Sequence, residues 1–248
     1  MNKFCTILSI ALSVACFAYM FNGNVEYSCM IGGVAFIFTI LGFYIESKAK
    51  YYWNVKFNKI LYWLSANDKE YNIECKEFTY TCGKDNEYSS RKDITICPMC
   101  NDLDRITERF AWSAPSGKAE ITPIVVGQKI SSFRQQELWT YYTVSFEHFC
   151  EKRKGFKTGS LISNLIDVNN EAVPFLSATV DRKTKRLVLK VCFKDIEAPE
   201  KASFKVFTNA KTDKEIYKEE LCYDDVVGGF VTKVDYPRRN WKYVISWE

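Results

Sequence analysis

Histidine is almost missing from this chain: His148 is the only one among 248 residues. A Ser–His–Asp triad or a Cys–His pair needs an imidazole as general base, and neither a serine-centred elbow nor such a pair is recognisable around it. A Gly-rich phosphate loop is absent as well. These absences point away from an enzyme. The net charge is only +4, so no strong overall field recruits nucleic acid or a membrane surface. Internal repeats and low-complexity segments are lacking too. Charge is scarcest at the start, where residues 1–45 hold Lys3 and Glu26 alone.

What fills those 45 residues is apolar. Residues 4–21 and 29–45 form two apolar runs separated by the polar break "NGNVEYS". Each is near the lower end of the about 17–25 residues that cross a bilayer as a helix, and a spanning helix satisfies its own backbone. The two runs predict a transmembrane hairpin over 1–45. Lys48, Lys50, Lys56 and Lys59 follow the second run while the turn holds no basic residue, which places both termini in the cytoplasm. Tyr51, Tyr52 and Trp53 sit where an interfacial aromatic belt belongs. The alternative is an exported lipoprotein processed before Cys16 in "LSVAC", which leaves the second run unexplained.

Small residues recur on one helical face of each run. Ser28, Gly32, Ala35, Thr39 and Gly42 mark the second, and Thr6, Ser9, Ser13 and Cys16 the first. Such seams let helices approach closely in lipid. They serve either packing within one hairpin or oligomerisation and a narrow pore.

Residues 46–69 read as a juxtamembrane linker. Trp53, Phe57, Ile60, Leu61 and Leu64 fit an amphipathic helix, and alternation at Trp53, Val55 and Phe57 fits a strand equally well. From residue 70 to 248 the pattern is strands and turns. "RLVLKVCFK", "GFVTKVDY" and "WKYVISWE" alternate, and "AEITPIVV", "LWTYYTVSF", "FLSATVD", "ASFKVFTN" and "EIYKEELCY" are further strands. The expected fold class is a two-helix transmembrane hairpin followed by an all-β cytosolic domain, an antiparallel sandwich or small barrel.

Ten cysteines on the cytosolic side are expected to be reduced. Cys5, Cys16 and Cys29 read as small residues of the apolar runs, Cys192 and Cys222 as packing residues. The stretch at 75–100 is different. Cys97-Pro98-Met99-Cys100 has zinc-knuckle spacing, and Cys75 and Cys82 supply two further thiolates for a structural zinc. His148 and Cys150 stand in reserve, and free thiols are the alternative. Asp102 and Asp104 in "NDLDR" offer a metal pair, with an exposed acidic turn as the favoured reading.

Basic clusters lie beside aromatic residues in three places: Lys152, Arg153, Lys154 and Lys157; Arg182, Lys183, Lys185 and Arg186; and Arg238, Arg239 and Lys242 with Trp241. Cations for phosphates and rings for bases are what a nucleotide ligand requires. The plain alternative is a set of solvated hairpin tips. Arg182, Lys183, Lys185, Arg186, Arg238, Arg239 and Trp241 are the ligand-binding candidates.

The hairpin-plus-β arrangement resembles the two-transmembrane, β-rich effectors of bacterial antiphage systems, those of cyclic-oligonucleotide signalling and related nucleotidyltransferase-linked defences. "RFAWSAPSG", "VPFLSATVD", "RLVLKVCF" and "RRNWKYVISWE" look like segments of a β-rich module of bacterial conflict-system proteins. The Cys-rich stretch departs from that pattern. The resemblance implies a nucleotide or short oligonucleotide messenger bound by the β domain. It further implies a companion nucleotidyltransferase, a homo-oligomer in the inner-membrane bilayer, and an ion channel formed by the helices. A membrane-tethered module that docks a protein partner is the alternative.

Overall fold

The computed structural model describes position 12 and residues 50–112, 119–136, 139–208 and 215–248, with helix side chains from Phe57 onward. Two units divide the chain, Met1–Phe57 and Asn58–Glu248. The strands described below all lie in the second.

Strands β1 (Tyr71–Cys82) and β2 (Glu87–Pro98) form a long antiparallel hairpin. Its turn, Lys84–Asn86, places Asp85 and Asn86 at φ of 56° and 57°, a left-handed conformation that Asp and Asn tolerate best after glycine. Four further strands complete a six-stranded sheet: β9 (Arg186–Phe193), β12 (Gly229–Asp235), β7 (Phe156–Ile166) and β4 (Glu120–Pro123). The order is β12-β9-β1-β2-β7-β4. A three-stranded sheet, β3-β6-β5, comprises β3 (Arg105–Ala111), β6 (Trp139–Phe146) and β5 (Gln128–Gln136). A four-stranded sheet, β11-β10-β13-β8, comprises β11 (Glu215–Leu221), β10 (Ala202–Phe207), β13 (Lys242–Trp247) and β8 (Phe175–Thr179).

Period-two patterning decides which side chains enter the core. Leu187, Leu189 and Val191 of β9 are buried, as are Tyr243, Ile245 and Trp247 of β13. One cluster unites Tyr71, Ile73, Ile94 and Ile96 of the six-stranded sheet with Ile106, Phe110, Tyr142 and Val144 of the three-stranded sheet. Trp247 ties the four-stranded sheet in, its ring 6.1 Å from Tyr80 and 6.0 Å from Phe193. The large sheet is thus covered by two smaller ones, and a seam runs between them.

Helix α1 (Lys50–Leu64) settles the open choice at 46–69 in favour of helix for these residues. Asn58 is buried, whereas Phe57, Ile60, Trp63 and Leu64 are exposed. The helix therefore buries a polar residue and leaves much of its expected apolar face uncovered.

The expected fold class is corrected on two counts. The hairpin over 1–45, with its seam residues Thr6, Ser9, Ser13, Ser28, Gly32, Ala35, Thr39 and Gly42, lies outside the described residues apart from position 12. Among the described residues no helix is long and apolar enough to cross a membrane. The 15 residues of α1 extend only about 23 Å, short of a hydrocarbon core of about 30 Å. A multi-pass inner-membrane protein and an ion channel are overturned with it. The second count is topological. β1 and β9 run parallel, with Phe78 opposite Leu189, so the large sheet is mixed. A parallel pair needs a crossover connection, and here everything between residues 82 and 186 supplies it.

Candidate functional site

The seam between the two smaller sheets holds charge where a core would hold aliphatic carbon. Lys76 of β1 follows Tyr71 and Ile73 onto the inner face after a register shift, and Lys92 of β2 lies directly across from Phe78. Glu108 occupies the inward phase of β3 between Ile106 and Phe110. Lys76 Nζ donates to Glu108 Oε1 at 2.7 Å and Lys92 Nζ to Glu108 Oε2 at 3.3 Å. Lys92 also donates to the Arg109 carbonyl. Lys92 is 3% exposed, Lys76 and Glu108 9% each. The Phe78 ring lies 5.3 Å from each ammonium.

Burial this complete disfavours any charge, and the protonation equilibria record the contest. Burial drives the Lys92 amine below its ordinary range, with Glu108 opposing. Burial also pushes the Glu108 carboxyl upward, but Lys76 and Lys92 together outweigh it and the net shift is down. Each shift has a defined sign in stability. Glu108 contributes above its unfolded value of about 4.3 and the contribution is lost as pH falls. For Lys92 the unfolded chain binds the proton more tightly, so stability rises with pH toward about 10.4. Urea unfolding across pH is expected to show both slopes in the wild type, and only the acid one in Lys92→Met. An alkaline slope that survives in that variant would remove Lys92 as its source.

Around the triad lies a cavity of about 320 Å³ to which all three sheets contribute. Beyond the triad and Phe78 it is lined by Arg109, Trp139, Tyr141, Asp181 and the hydroxyls of Thr107, Ser177 and Thr179. The Arg109 guanidinium stacks 4.6 Å from the Trp139 ring centroid. Three cations face two carboxylates. An ammonium has three donors, so Lys76 retains hydrogen-bonding capacity beyond Glu108. The arrangement offers positive charge in a sheltered site, an aromatic plate at the rim, and several hydroxyls.

None of these residues stood among the candidates from sequence. Their signal is a charge in the apolar phase of an alternating strand: Lys76 before Phe78 and Tyr80, Lys92 before Ile94 and Ile96, Glu108 between Ile106 and Phe110.

The predicted ligand residues cluster elsewhere. Arg182 and Lys183, in the loop before β9, meet Arg238 and Arg239, in the turn after β12, around a smaller cavity of about 130 Å³. Arg182 pairs with Glu70 at 2.7 Å and Arg239 with Asp68 at 3.2 Å. Arg238 stacks 4.9 Å from Trp241. Lys185 and Arg186 are not brought into this cavity; they pair with Glu74 at 3.1 Å and Asp235 at 2.8 Å. Of the third basic cluster, Lys154 pairs with Glu151 at an exposed site.

The four cysteines proposed for zinc are not gathered. Cys75 and Cys82 are both on β1, seven residues and so roughly 23 Å apart in an extended strand, whereas a tetrahedral site needs its sulfurs within a few ångströms. Cys97 pairs across from Asn72, at the other end of the hairpin from Cys82. Burial pushes the Cys82 thiol up to about 12, away from the thiolate form that zinc takes. Among the described residues no group of three or more His, Cys, Asp or Glu is placed to hold a metal ion. The knuckle-like spacing of Cys97 and Cys100 instead marks the end of β2 and the bend after it.

No family model and no curated protein matches the chain. Among solved structures it is similar to an M1 zinc metallopeptidase from Deinococcus radiodurans at 8% identity and a TM-score of 0.38, covering 73% of this chain and 43% of that one. A putative protease from Parabacteroides distasonis gives 10% identity and a TM-score of 0.39, over 74% of this chain and 41% of that one. The chain thus spans less than half the length of either.

Proposed function

We propose that the β-rich unit is a binding module for a small anion bearing an aromatic ring, of the nucleotide class, seated in the cleft at Lys76, Lys92, Arg109 and Trp139. One observation carries the reading: two buried ammonium groups share a single carboxylate beneath an arginine stacked on an exposed indole. Their excess positive charge sits out of bulk water, where attraction to an anion is less screened. A base is held by stacking, worth about 1–3 kcal/mol per base, and Trp139 is open enough to provide it at 36% exposure. The cavity of about 320 Å³ lies within the range of about 300–1,000 Å³ usual for small-molecule sites. Nucleotide-derived ligands are also the class that the resemblance to nucleotide-signalling effectors implies.

Isothermal titration of the full chain with adenosine 5′-monophosphate and with a short dinucleotide tests the reading. Saturable binding is expected, weakened about tenfold or more in Trp139→Ala and in Arg109→Ala, which corresponds to about 1.4 kcal/mol. Absence of binding to either probe, or affinities unchanged in both variants, would overturn it.

A further inference from the structure

The outward face of the three-stranded sheet carries chemistry that continues out of the cleft. Arg109 of β3 and Arg134 of β5 are both paired opposite Tyr141 of β6, so one ring is flanked on the same face by two guanidinium side chains. Trp139 stands on that face two residues along β6, about 7 Å from Tyr141. On the other side of Tyr141 the next row is Thr107, Thr143 and Ser132, short side chains hydrogen-bonded to one another at 3.4 and 2.8 Å. Lys129 lies further on, across from Ser145. No Asp or Glu occupies the outward phase of these three strands. Asp104, just before β3, is held by Arg105 at 2.7 Å. Among the described residues Arg109, Lys129 and Arg134 have no carboxylate partner.

We infer that this face binds single-stranded nucleic acid, which rests on the nucleotide reading of the cleft and extends it: the strand leaves one base in the cleft and runs along β6 toward Ser145. Thr107, Arg109, Trp139 and Tyr141 belong both to the face and to the wall of the cleft, so the two surfaces are continuous. The rings identify the ligand class. Two arginines and a lysine alone would take any polyanion. Aromatic side chains at successive outward positions of one strand offer neighbouring bases a plate each, with guanidinium groups beside them for the phosphates. Trp139 is 36% exposed and Tyr141 half-buried, so both present ring surface to solvent. A duplex keeps its bases stacked inside, out of reach of a sheet face, whereas the bases of a single strand splay out. The short hydroxyl side chains between Tyr141 and Ser145 keep the middle of the face low, which lets a chain pass close to the sheet.

Titrating the full chain with oligouridine and oligothymidine octamers, beside adenosine 5′-monophosphate and inorganic polyphosphate, is the test. The octamers are expected to bind at least about tenfold more tightly than the mononucleotide, and more tightly than polyphosphate or the same octamers annealed to their complements. A difference between the two octamers names the preferred sugar and supports the inference in either direction. Lys129→Gln combined with Arg134→Gln, both outside the cleft, should weaken the octamers about tenfold and leave adenosine 5′-monophosphate unchanged. It should also flatten the slope of log affinity against log salt by about 1.4, at about 0.7 for each cation removed. Octamers no tighter than the mononucleotide, polyphosphate or duplex binding as tightly as the octamers, or an octamer affinity unchanged in the double variant would overturn the inference. In each of these cases adenosine 5′-monophosphate binding that is lost in Trp139→Ala still stands for the cleft, so the two readings fail separately.

Discussion

Glu108→Ala is expected to cost about 3–5 kcal/mol of folding stability, the penalty for removing one partner of a buried ionic group. The carboxylate is shared by Lys76 and Lys92, so its removal strands two ammonium groups, one of them 3% exposed. Among the described residues Lys92 would keep the Arg109 carbonyl and the weak attraction of the Phe78 and Tyr142 rings, 5.3 and 5.5 Å away. A loss of that size is a large share of the about 5–15 kcal/mol by which a domain of this kind is stable. Replacing the whole triad, as Lys76→Met with Lys92→Met and Glu108→Leu, should recover most of the loss, because an apolar set of similar volume carries no desolvation cost. Denaturant unfolding of the single and triple variants measures both quantities. If Glu108→Ala changed stability by less than about 1 kcal/mol, the burial of the triad would be refuted. If the triple variant were no better than the single one, the cost would lie in packing and not in charge.

Gly229→Ala should lower stability by about 3 kcal/mol or more, the upper end of overpacking penalties. A Cβ at this position would collide with the Val191 carbonyl oxygen and stand 2.9 Å from its carbon and 3.0 Å from the Cys192 Cα. All three are backbone atoms of the paired strand, so no side-chain rotation relieves the contact. Either β12 shifts on β9 or the first pairs of the ladder break, beginning at Gly229 and Cys192. Unfolding measurements with amide exchange at Phe230 and Val231 would reveal it. Wild-type protection at these amides would mean that the strand accommodates the methyl group.

The two sites differ in how visible they were beforehand. Arg182, Lys183, Arg238 and Arg239 are dense in basic residues at turns, a local property, and the structure does bring the two pairs to one cavity. Lys76, Lys92 and Glu108 are single charges in three different strands. Glu108 lies 32 residues from Lys76 and 16 from Lys92, and nothing local relates them. The four cysteines considered for zinc show the same effect in reverse. Cys75, Cys82, Cys97 and Cys100 are close along the chain, but extended strands carry neighbours in sequence far apart in space.

A spacing of two by itself determined where several strands form: Leu187, Leu189 and Val191, Phe230 and Val234, and Tyr243, Ile245 and Trp247 share one phase within residues 186–193, 229–235 and 242–247, each segment is a strand, and all of these side chains are buried. A period of two is an intrachain property, set by the pleat, and is legible without partners. Which strands lie side by side was decided only in three dimensions, since β1 takes β9 as its parallel neighbour from more than a hundred residues away. That choice, with the packing of two smaller sheets on the large one, makes the seam in which buried lysines meet a glutamate. A charge facing the core is stable only against its counter-charge, and the counter-charge arrives from another sheet.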